Sequence, residues 1–425
     1  MKQGKFFYGW VNLGILWFSY AAVVSSITYA FGVVVADMAD SLEMSMALAT
    51  GAYTGYTLVQ ALTAPLAGAF IDRFGAKRSM LVGLGSMLIG CLLMAFIIKS
   101  VEMYYIVWIL FIGFGMRFGT LIPSQVSLSK WFFRYRGLAM AILLTAGGIG
   151  GYLFTPLCTY VNMAYSWRHV WLMISVCIAL TILLVLLFLR ESPECLGQEL
   201  DGGQEAGNAR QMKKTPLRAY KTTDPWELKD ARKCASLYML IFLFFASSYQ
   251  LSAISSQGIN HLLLQGIDRA AAAGAVGLFA LINTFGRLAV GILDARMSAK
   301  RILCFGAALS ILGFAGMLFA YSVSAAYLAL ILAGLGYGIM MVAPQNMLLN
   351  YFGSHDYAKI NGLFSLAAGV LAAFPAVMIG WLYDLNGTYA FAWVLGIVMM
   401  TVALGIAVCI RPPVYSYGGT ESLEQ

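Results

Sequence analysis

Two arginines interrupt long apolar stretches of this 425-residue chain. Arg117 lies near the middle of one stretch, and Arg287 lies nearer to the end of another. A guanidinium in such surroundings costs several kcal/mol unless it is paired or hydrated. Its planar array of N–H groups can meet both oxygens of a carboxylate. The two arginines are therefore candidate anion-binding residues.

Each arginine also has other interpretations. Arg287 could instead reach the lipid headgroups or pair with Asp294. Arg117 could supply a second cation to a carboxylate site, act as an electrostatic gate, or belong to a structural pair. Uncharged polar residues in these and other apolar stretches could contact an anion or simply bond neighbouring helices; they include Tyr56, Gln60, Gln257, Asn283 and Tyr337.

The elements that hold these residues are predicted to be transmembrane helices. Hydrophobic residues make up 60% of the chain and charged residues only 11%, against about 25% charged in soluble proteins. This composition excludes a soluble enzyme, a nucleic-acid-binding domain and a disordered chain. We predict twelve apolar spans of the length that crosses a bilayer: Trp10–Val35, Ala47–Ile71, Ser79–Ile98, Met103–Ser127, Gly137–Val161, Val170–Leu189, Leu237–Asn260, Ala270–Leu293, Ile302–Tyr321, Ala325–Leu349, Ile360–Tyr383 and Tyr389–Ile410.

A polar segment divides the spans into two halves. We predict an N-terminal six-helix bundle over residues 1–189, a linker over 190–236 and a C-terminal six-helix bundle with a short tail over 237–425. Similar patterns recur in both halves: two glycines flanking one residue, then a proline, then an aromatic pair, beginning at Gly113 and again at Gly334. Two like halves are typical of a rocking transporter. An all-α membrane protein of two pseudo-symmetric bundles is expected.

The basic residues predict the orientation. Of the 27 Lys and Arg, only Lys99, Arg168 and Arg269 fall on the side away from the termini. Since Lys and Arg concentrate in cytoplasmic loops, both termini are expected in the cytoplasm of a plasma or inner membrane. The seven cysteines lack the spacing of a metal site or disulfide frame. No cofactor, metal, catalytic residue or nucleic-acid partner is expected. The expected partners are the lipid bilayer and a small carboxylate substrate, and a monomer is the default oligomeric state.

The loop after the second span carries a specific motif. It reads Gly68-Ala-Phe-Ile-Asp72-Arg73-Phe-Gly75-Ala-Lys77-Arg78, and it resembles the signature loop of the major facilitator superfamily. Gly68 would allow a close helix approach and Gly75 a tight turn. The resemblance implies that Asp72, Arg73 and Lys77 latch the halves together on the cytoplasmic side. The second copy begins at Gly291, and Asp294 and Arg296 are its candidate latch residues. Its acid is displaced from the pattern, which weakens the case for a symmetric latch.

Further stretches resemble the monocarboxylate transporter and oxalate:formate antiporter branch; they are Phe7–Trp10, Trp131–Phe132, Arg136–Met140, Pro193–Glu194 with Gly197 and Asp201–Gly202, Asn260–Leu262 and Asn283–Arg287. The resemblance implies that Arg287 binds the substrate carboxylate and that Tyr337 is a cavity aromatic. Branch members that bind oxalate carry a lysine in span 11, which is absent here. This absence favours a monocarboxylate, unless Arg117 replaces that charge.

The acidic residues indicate how transport is coupled. All 19 Asp and Glu fall in loops, tails or span ends, and Asn283 stands where proton-coupled members of the branch carry an Asp. His261 is the nearest titratable alternative, although a plain interfacial role is expected for it. Anion exchange or uniport is therefore favoured. The alternatives are a proton-coupled symporter, a drug-efflux transporter and a non-transporting receptor of the same fold.

Overall fold

The computed structural model describes residues 7–132, 135–198, 222, 224, 226–293, 297–353 and 356–413. The regular elements of this part of the chain are helices. In the first half, spans 1 to 6 are Gly9–Ser41, Met46–Leu62 with Ala64–Phe74, Ala76–Phe96, Val101–Trp131, Arg136–Ala164 and Trp167–Phe188. In the second half, spans 7 to 12 are Ala235–Leu264, Arg269–Leu293, Ala299–Leu318, Val323–Phe352, Tyr357–Ala373 with Pro375–Asn386, and Ala390–Cys409.

Span 2 differs from the expected single helix. Its two helices are separated at Thr63, because Pro65 opens the second of them and has no N–H to continue the first. Pro375 interrupts span 11 in the same way. Within the described residues, eleven helices are long and apolar enough to cross a membrane, and the divided span 2 is the predicted span not among them.

The repeated glycines occupy equivalent positions in the two halves. A Cβ on Gly113 would lie 3.2 Å from the Tyr56 carbonyl oxygen of span 2, and one on Gly334 would lie 2.9 Å from the Phe279 carbonyl oxygen of span 8. The second glycine of each pair, Gly115 or Gly336, contacts the third span of its own half. The sequence repeat is therefore a repeat of helix packing, which confirms the two pseudo-symmetric bundles.

Span 5 lies between the two halves because of its glycine run. Gly147 and Gly150 face span 1, where a Cβ on Gly147 would lie 3.1 Å from the Tyr20 ring. Gly148 and Gly151 face span 8 at Ala280. Small residues on two sides of one helix allow two backbones to approach it. The run thus joins a helix of the first half to one of the second.

Other cross-half contacts are equally close. The loops that follow the even-numbered spans lie on one face of the protein, which we call the basic face. We call the other face the opposite face. Gly32 of span 1 packs on the Ser255 carbonyl of span 7, and Gly380 of span 11 packs on the Met46 carbonyl of span 2. Both contacts lie toward the opposite face. At the basic face, the helices Ala64–Phe74 and Leu121–Trp131 pack against other helices of the first half.

An aromatic cluster organises the basic face of the first half. The ring of Phe7 lies 5.8 Å from that of Trp131 and 5.4 Å from that of Phe132. The indole N–H of Trp131 and the side-chain amide of Asn12 both donate to the Arg190 carbonyl oxygen, at 3.0 and 2.8 Å. The two aromatic motifs of the sequence therefore fix the end of span 6.

Candidate functional site

Arg287 and Tyr337 meet where spans 8 and 10 pack most closely. A Cβ on Gly338 would lie 2.8 Å from the Arg287 amide nitrogen and would clash with the Asn283 carbonyl. Because Gly338 has no side chain, span 10 can approach this turn of span 8. The guanidinium carbon of Arg287 then lies 5.8 Å from the centroid of the Tyr337 ring, which is a cation–π distance.

Asn283 lies one turn from Arg287 and is buried. Its side-chain oxygen has no hydrogen-bond partner among the described residues. The first half reaches the same part of span 8: Gly148 of span 5 packs against Thr284, the residue after Asn283, and Gly151 packs against both Ala280 and Tyr29 of span 1. The Arg287 site therefore lies close to the junction of the two halves.

Arg117 lines a separate cavity of about 230 Å³. Tyr56 and Gln60 from span 2, both predicted from sequence, line it as well, and their side chains interact with each other. Leu251 of span 7 completes the wall from the second half. The cavity therefore lies at the junction of the two bundles.

Neither arginine is neutralised within the described part of the chain. The two ion pairs found there are Lys233–Asp230 and Arg269–Asp37. The Nε atoms of Arg117 and Arg287 are buried without a hydrogen-bond partner among the described residues. An uncompensated guanidinium in a membrane-embedded interface favours a bound anion. Asp294 and Arg296 lie outside the described residues, so an Arg287–Asp294 pair is not tested.

Three polar residues of span 7 each make one side-chain hydrogen bond within the second half, while the Gln250 oxygen and the Gln257 nitrogen have no described partner. The side-chain oxygen of Gln257 accepts a hydrogen bond from Asn260 at 3.0 Å, and Gln250 donates to the Ala333 carbonyl at 3.0 Å. His261 is fully buried, and its ring Nε2 lies 2.8 Å from the Met317 carbonyl oxygen. The expectation that His261 is interfacial is therefore wrong: spans 9 and 12 cover it. Gln257 is not among the residues that line the Arg117 cavity.

The motif loop after span 2 contacts its own half. Gly75 has a φ of +88°, so the predicted tight turn is present and suits glycine. Lys77 caps the end of span 6: its Nζ donates to the carbonyls of Leu186 and Leu189, each at 2.9 Å. Its backbone N–H donates to Glu191 at 3.2 Å.

The rest of the loop lines a polar pocket at the basic face, where Asp72, Arg73 and Lys77 occur together with Glu191. No described heavy atom lies within 4 Å of a Cβ built on Gly68, so the expected close helix approach at Gly68 is absent from this conformation. A latch between the halves stays a prediction. Gly291 is in span 8, but the acid and arginine of the second copy are not described.

Charged residues at the opposite face join the halves, a relationship that the sequence patterns did not indicate. Arg269 of span 8 donates to the two carboxylate oxygens of Asp37 in span 1, at 3.0 and 3.4 Å. Asn162 of span 5 also donates to Asp37. The Asp384 carboxylate of span 11 accepts from the N–H groups of Met46 and Ala47, at 3.1 and 2.8 Å. There it complements the positive end of the span 2 helix.

Two further tyrosines of span 1 belong to the site. Tyr20 lines the Arg117 cavity, and Tyr29 packs on Gly151 of span 5, which also contacts Ala280 of span 8. Tyr20 opens a π-helical segment, Tyr20–Ser25, and a second one, Val107–Gly113, lies just before Arg117. Such segments are frequent at functional sites. The sequence signal that could have indicated Tyr20 and Tyr29 was the presence of tyrosines within an apolar span. The π-helical segments could not be predicted, because the periodicity of apolar residues does not reveal π-helical turns.

Comparisons with known proteins agree with this architecture. The family model "Major Facilitator Superfamily" matches residues 16–293 and 237–424. A solved structure of a mutant of the nucleoside transporter NupG superposes with a TM-score of 0.73 at 14% sequence identity, over 94% of this chain and 98% of that one. At this identity the likeness is one of fold.

Curated relatives include transporters of carboxylates by name. Monocarboxylate transporter 13 of Bos taurus is 27% identical over 168 residues, 40% of this chain and 39% of its own length. The chain thus spans about two fifths of that relative. The oxalate:formate antiporter of Oxalobacter formigenes is 26% identical over 33% of this chain and 32% of its own. Monocarboxylate transporter 14 of Homo sapiens is 23% identical over 95% and 91%.

The helical repeats, the cross-half site and the family match lead to one conclusion. The chain belongs to the Major Facilitator Superfamily and is a multi-pass membrane protein, with eleven described helices long and apolar enough to cross a bilayer.

Proposed function

We propose that this transporter carries small organic anions, with monocarboxylates as its main substrates, and that Arg287 binds the substrate carboxylate. The observation that carries the proposal is the environment of Arg287. Its guanidinium lies against Tyr337, near the point where Gly148 of the other half packs on span 8, and no described acid pairs with it. A carboxylate would supply the missing charge and accept two hydrogen bonds.

The charge balance supports exchange or uniport of anions over proton symport. In the described part of the chain, the acids that contact the other half are Asp37 and Asp384, and both lie toward the opposite face. Asn283 cannot titrate, and His261 is buried away from the site. An empty site would keep two positive charges in the occluded state, whereas a loaded one would be partly neutralised. Binding of an anion should therefore favour the conformational change that returns the binding site to the other side of the membrane.

Alternating access would then proceed around Arg287. We assign the opposite face to the outside and the basic face to the cytoplasm, following the distribution of Lys and Arg. In this conformation the halves are joined at the outside by Asp37, Arg269 and Asp384. Opening to the outside requires these contacts to break, and the motif loop with Asp72 and Arg73 would then close the cytoplasmic side.

Uptake into proteoliposomes tests the proposal. Labelled lactate, pyruvate and formate would be supplied with and without internal anion, and with and without a pH gradient. Saturable uptake that needs internal anion is the expected result. Uptake driven by the pH gradient alone would replace exchange by proton symport. Absence of carboxylate uptake under every condition would remove the proposed substrate class.

A further inference from the structure

A cavity of about 260 Å³ lies at the basic face of the second half. Its walls are the start of span 9 at Ser298–Lys300, the end of span 10 at Asn350 and the segment after span 12 at Arg411. The residues proposed above to bind substrate do not line it, and none of its described lining residues is acidic. One water occupies roughly 30 Å³ in the liquid, so the cavity has room for a group of several atoms such as phosphate.

Two cations, Lys300 and Arg411, line this cavity. The segment that carries Arg411 is held in place, because the Ser236 hydroxyl of span 7 donates to the Arg411 carbonyl oxygen at 3.0 Å. Neither cation forms an ion pair with an acid in the described part of the chain. Lys300 is half-buried and Arg411 is exposed. The cavity therefore carries positive charge that the described residues do not neutralise.

The backbone at the start of span 9 adds further donors. Ser298 precedes the helix Ala299–Leu318, and its side chain makes no capping hydrogen bond to the first turn. The N–H groups of Ala299 and Lys300 lie in that turn, where the helix itself offers no acceptor. The positive end of the helix dipole is also located there. Together these features favour an anion at the helix start.

Asn350 gives an indication that is independent of charge. It is 7% exposed and lines the cavity from span 10. Its backbone carbonyl accepts the Thr222 N–H of the linker at 3.0 Å, whereas its side-chain amide bonds to no described residue. A buried amide without a partner costs free energy, and a polar ligand would remove that cost. The Asn350 amide therefore points to a polar occupant of the cavity.

We propose that this cavity binds an anionic phosphate group, with Lys300, Arg411 and the Asn350 amide as donors. The surrounding surface favours the headgroup of an anionic phospholipid as its source. Leu349 and Val408, within three residues of the lining on spans 10 and 12, are exposed apolar side chains that acyl chains can cover. Basic pockets between membrane helices on the cytoplasmic side bind such headgroups. The inference concerns lipid and not the transported substrate, so it does not depend on the proposed function.

Native mass spectrometry of the full chain in detergent tests the inference. Phosphatidylglycerol would be added to wild type, Lys300→Gln, Arg411→Gln and Asn350→Ala, with zwitterionic phosphatidylcholine as the lipid control. Loss of a charge-assisted hydrogen bond should weaken binding of the first phosphatidylglycerol at least about tenfold in the two cation variants. Asn350→Ala should weaken it about fivefold, although this variant removes no charge.

Arg301→Gln is the matched control, because Arg301 is exposed in the same turn as Lys300 and does not line the cavity. This variant should lose about fivefold or less, which is the share of one cation near an anionic surface. Equal losses in Arg301→Gln and Arg411→Gln would show diffuse attraction in place of a lipid site. If Lys300→Gln or Asn350→Ala does not fold, the exposed Arg411 still decides.

Inorganic phosphate distinguishes the two sources of the anion. The expected result is that it leaves the melting temperature of wild type unchanged while phosphatidylglycerol binds, which identifies a lipid headgroup. A rise in the melting temperature of wild type that is absent from Arg411→Gln would identify soluble phosphate, and the cavity would still be an anionic phosphate site. The inference is overturned if wild type binds phosphatidylglycerol no better than phosphatidylcholine, or loses it equally in Arg301→Gln and Arg411→Gln, and phosphate has no Arg411-dependent effect.

Discussion

Arg269 and Asp37 are separated by 232 residues in sequence, yet the Arg269 guanidinium donates to both oxygens of the Asp37 carboxylate. The pair connects span 8 to span 1, and so the second half of the transporter to the first. The side chains are 23% and 34% exposed. The pair is therefore partly screened by solvent, and its contribution should be about 1 kcal/mol or less.

We predict that Asp37→Asn shifts the conformational equilibrium toward opening at the opposite face by up to about fivefold, as follows from an energy of about 1 kcal/mol. Spin labels at Glu43 and Gln265, beyond the ends of spans 1 and 7, would report the change as a larger population of long distances. The charge-reversed double variant Asp37→Arg/Arg269→Asp should restore the original distribution. A distribution unchanged in Asp37→Asn would show that the pair does not hold the halves together.

Gly338 should be intolerant of a side chain. A methyl group there would meet the backbone of Asn283 and Arg287, and overpacking of this kind typically costs about 1–3 kcal/mol. Gly338→Ala should therefore lower both the melting temperature and the affinity for carboxylate. Gly362→Ala is the matched control, because no described atom lies within 4 Å of its added Cβ. Equal melting temperatures for the two variants would contradict the close contact of spans 8 and 10.

Asn283→Asp should make transport depend on pH. The new carboxylate would lie one turn from Arg287 and compete with the substrate for its guanidinium when ionised. Protonation at low pH would release Arg287, so uptake relative to wild type should rise as the pH is lowered from about 8 toward the usual Asp pKa of about 3.9. Asn283→Ala should show no such added rise. A flat profile in Asn283→Asp would place this position outside the reach of the bound anion.

The parts of the fold that depend on local pattern could be predicted from the sequence. A membrane span needs about 20 apolar residues, and that requirement locates the helices without knowledge of their neighbours. The tight turn at Gly75 could be predicted as well, because it depends on a local motif and not on distant parts of the chain. The division of span 2 at Thr63 was missed, because Pro65 was counted within an apolar stretch and not as the start of a new helix.

The relation between the halves could not be predicted in the same way. Asp37, Asn162 and Arg269 lie near the ends of three different spans, and no local pattern indicates that these ends meet. Arg117 and Arg287 were found because a charge in an apolar span is costly. Tyr20 and Tyr29 were missed because an uncharged tyrosine in an apolar span carries no such cost and therefore does not stand out in the sequence. Gln257 was expected to contact substrate from its position on a helical face. Asn260 on the next turn donates to its side-chain oxygen, but the Gln257 side-chain nitrogen has no described partner, so a substrate contact there stays a prediction.

Arg287 carries the central claim, and one comparison tests it most directly. Initial uptake of labelled lactate would be measured in wild type, Arg287→Gln and Tyr337→Phe, at matched amounts of folded protein in the vesicles. A charge-assisted hydrogen bond contributes about 1.5–3 kcal/mol. Arg287→Gln should therefore lose at least tenfold in apparent affinity, while Tyr337→Phe, which keeps the ring, should change by less. Lactate uptake by Arg287→Gln with wild-type affinity would contradict the account.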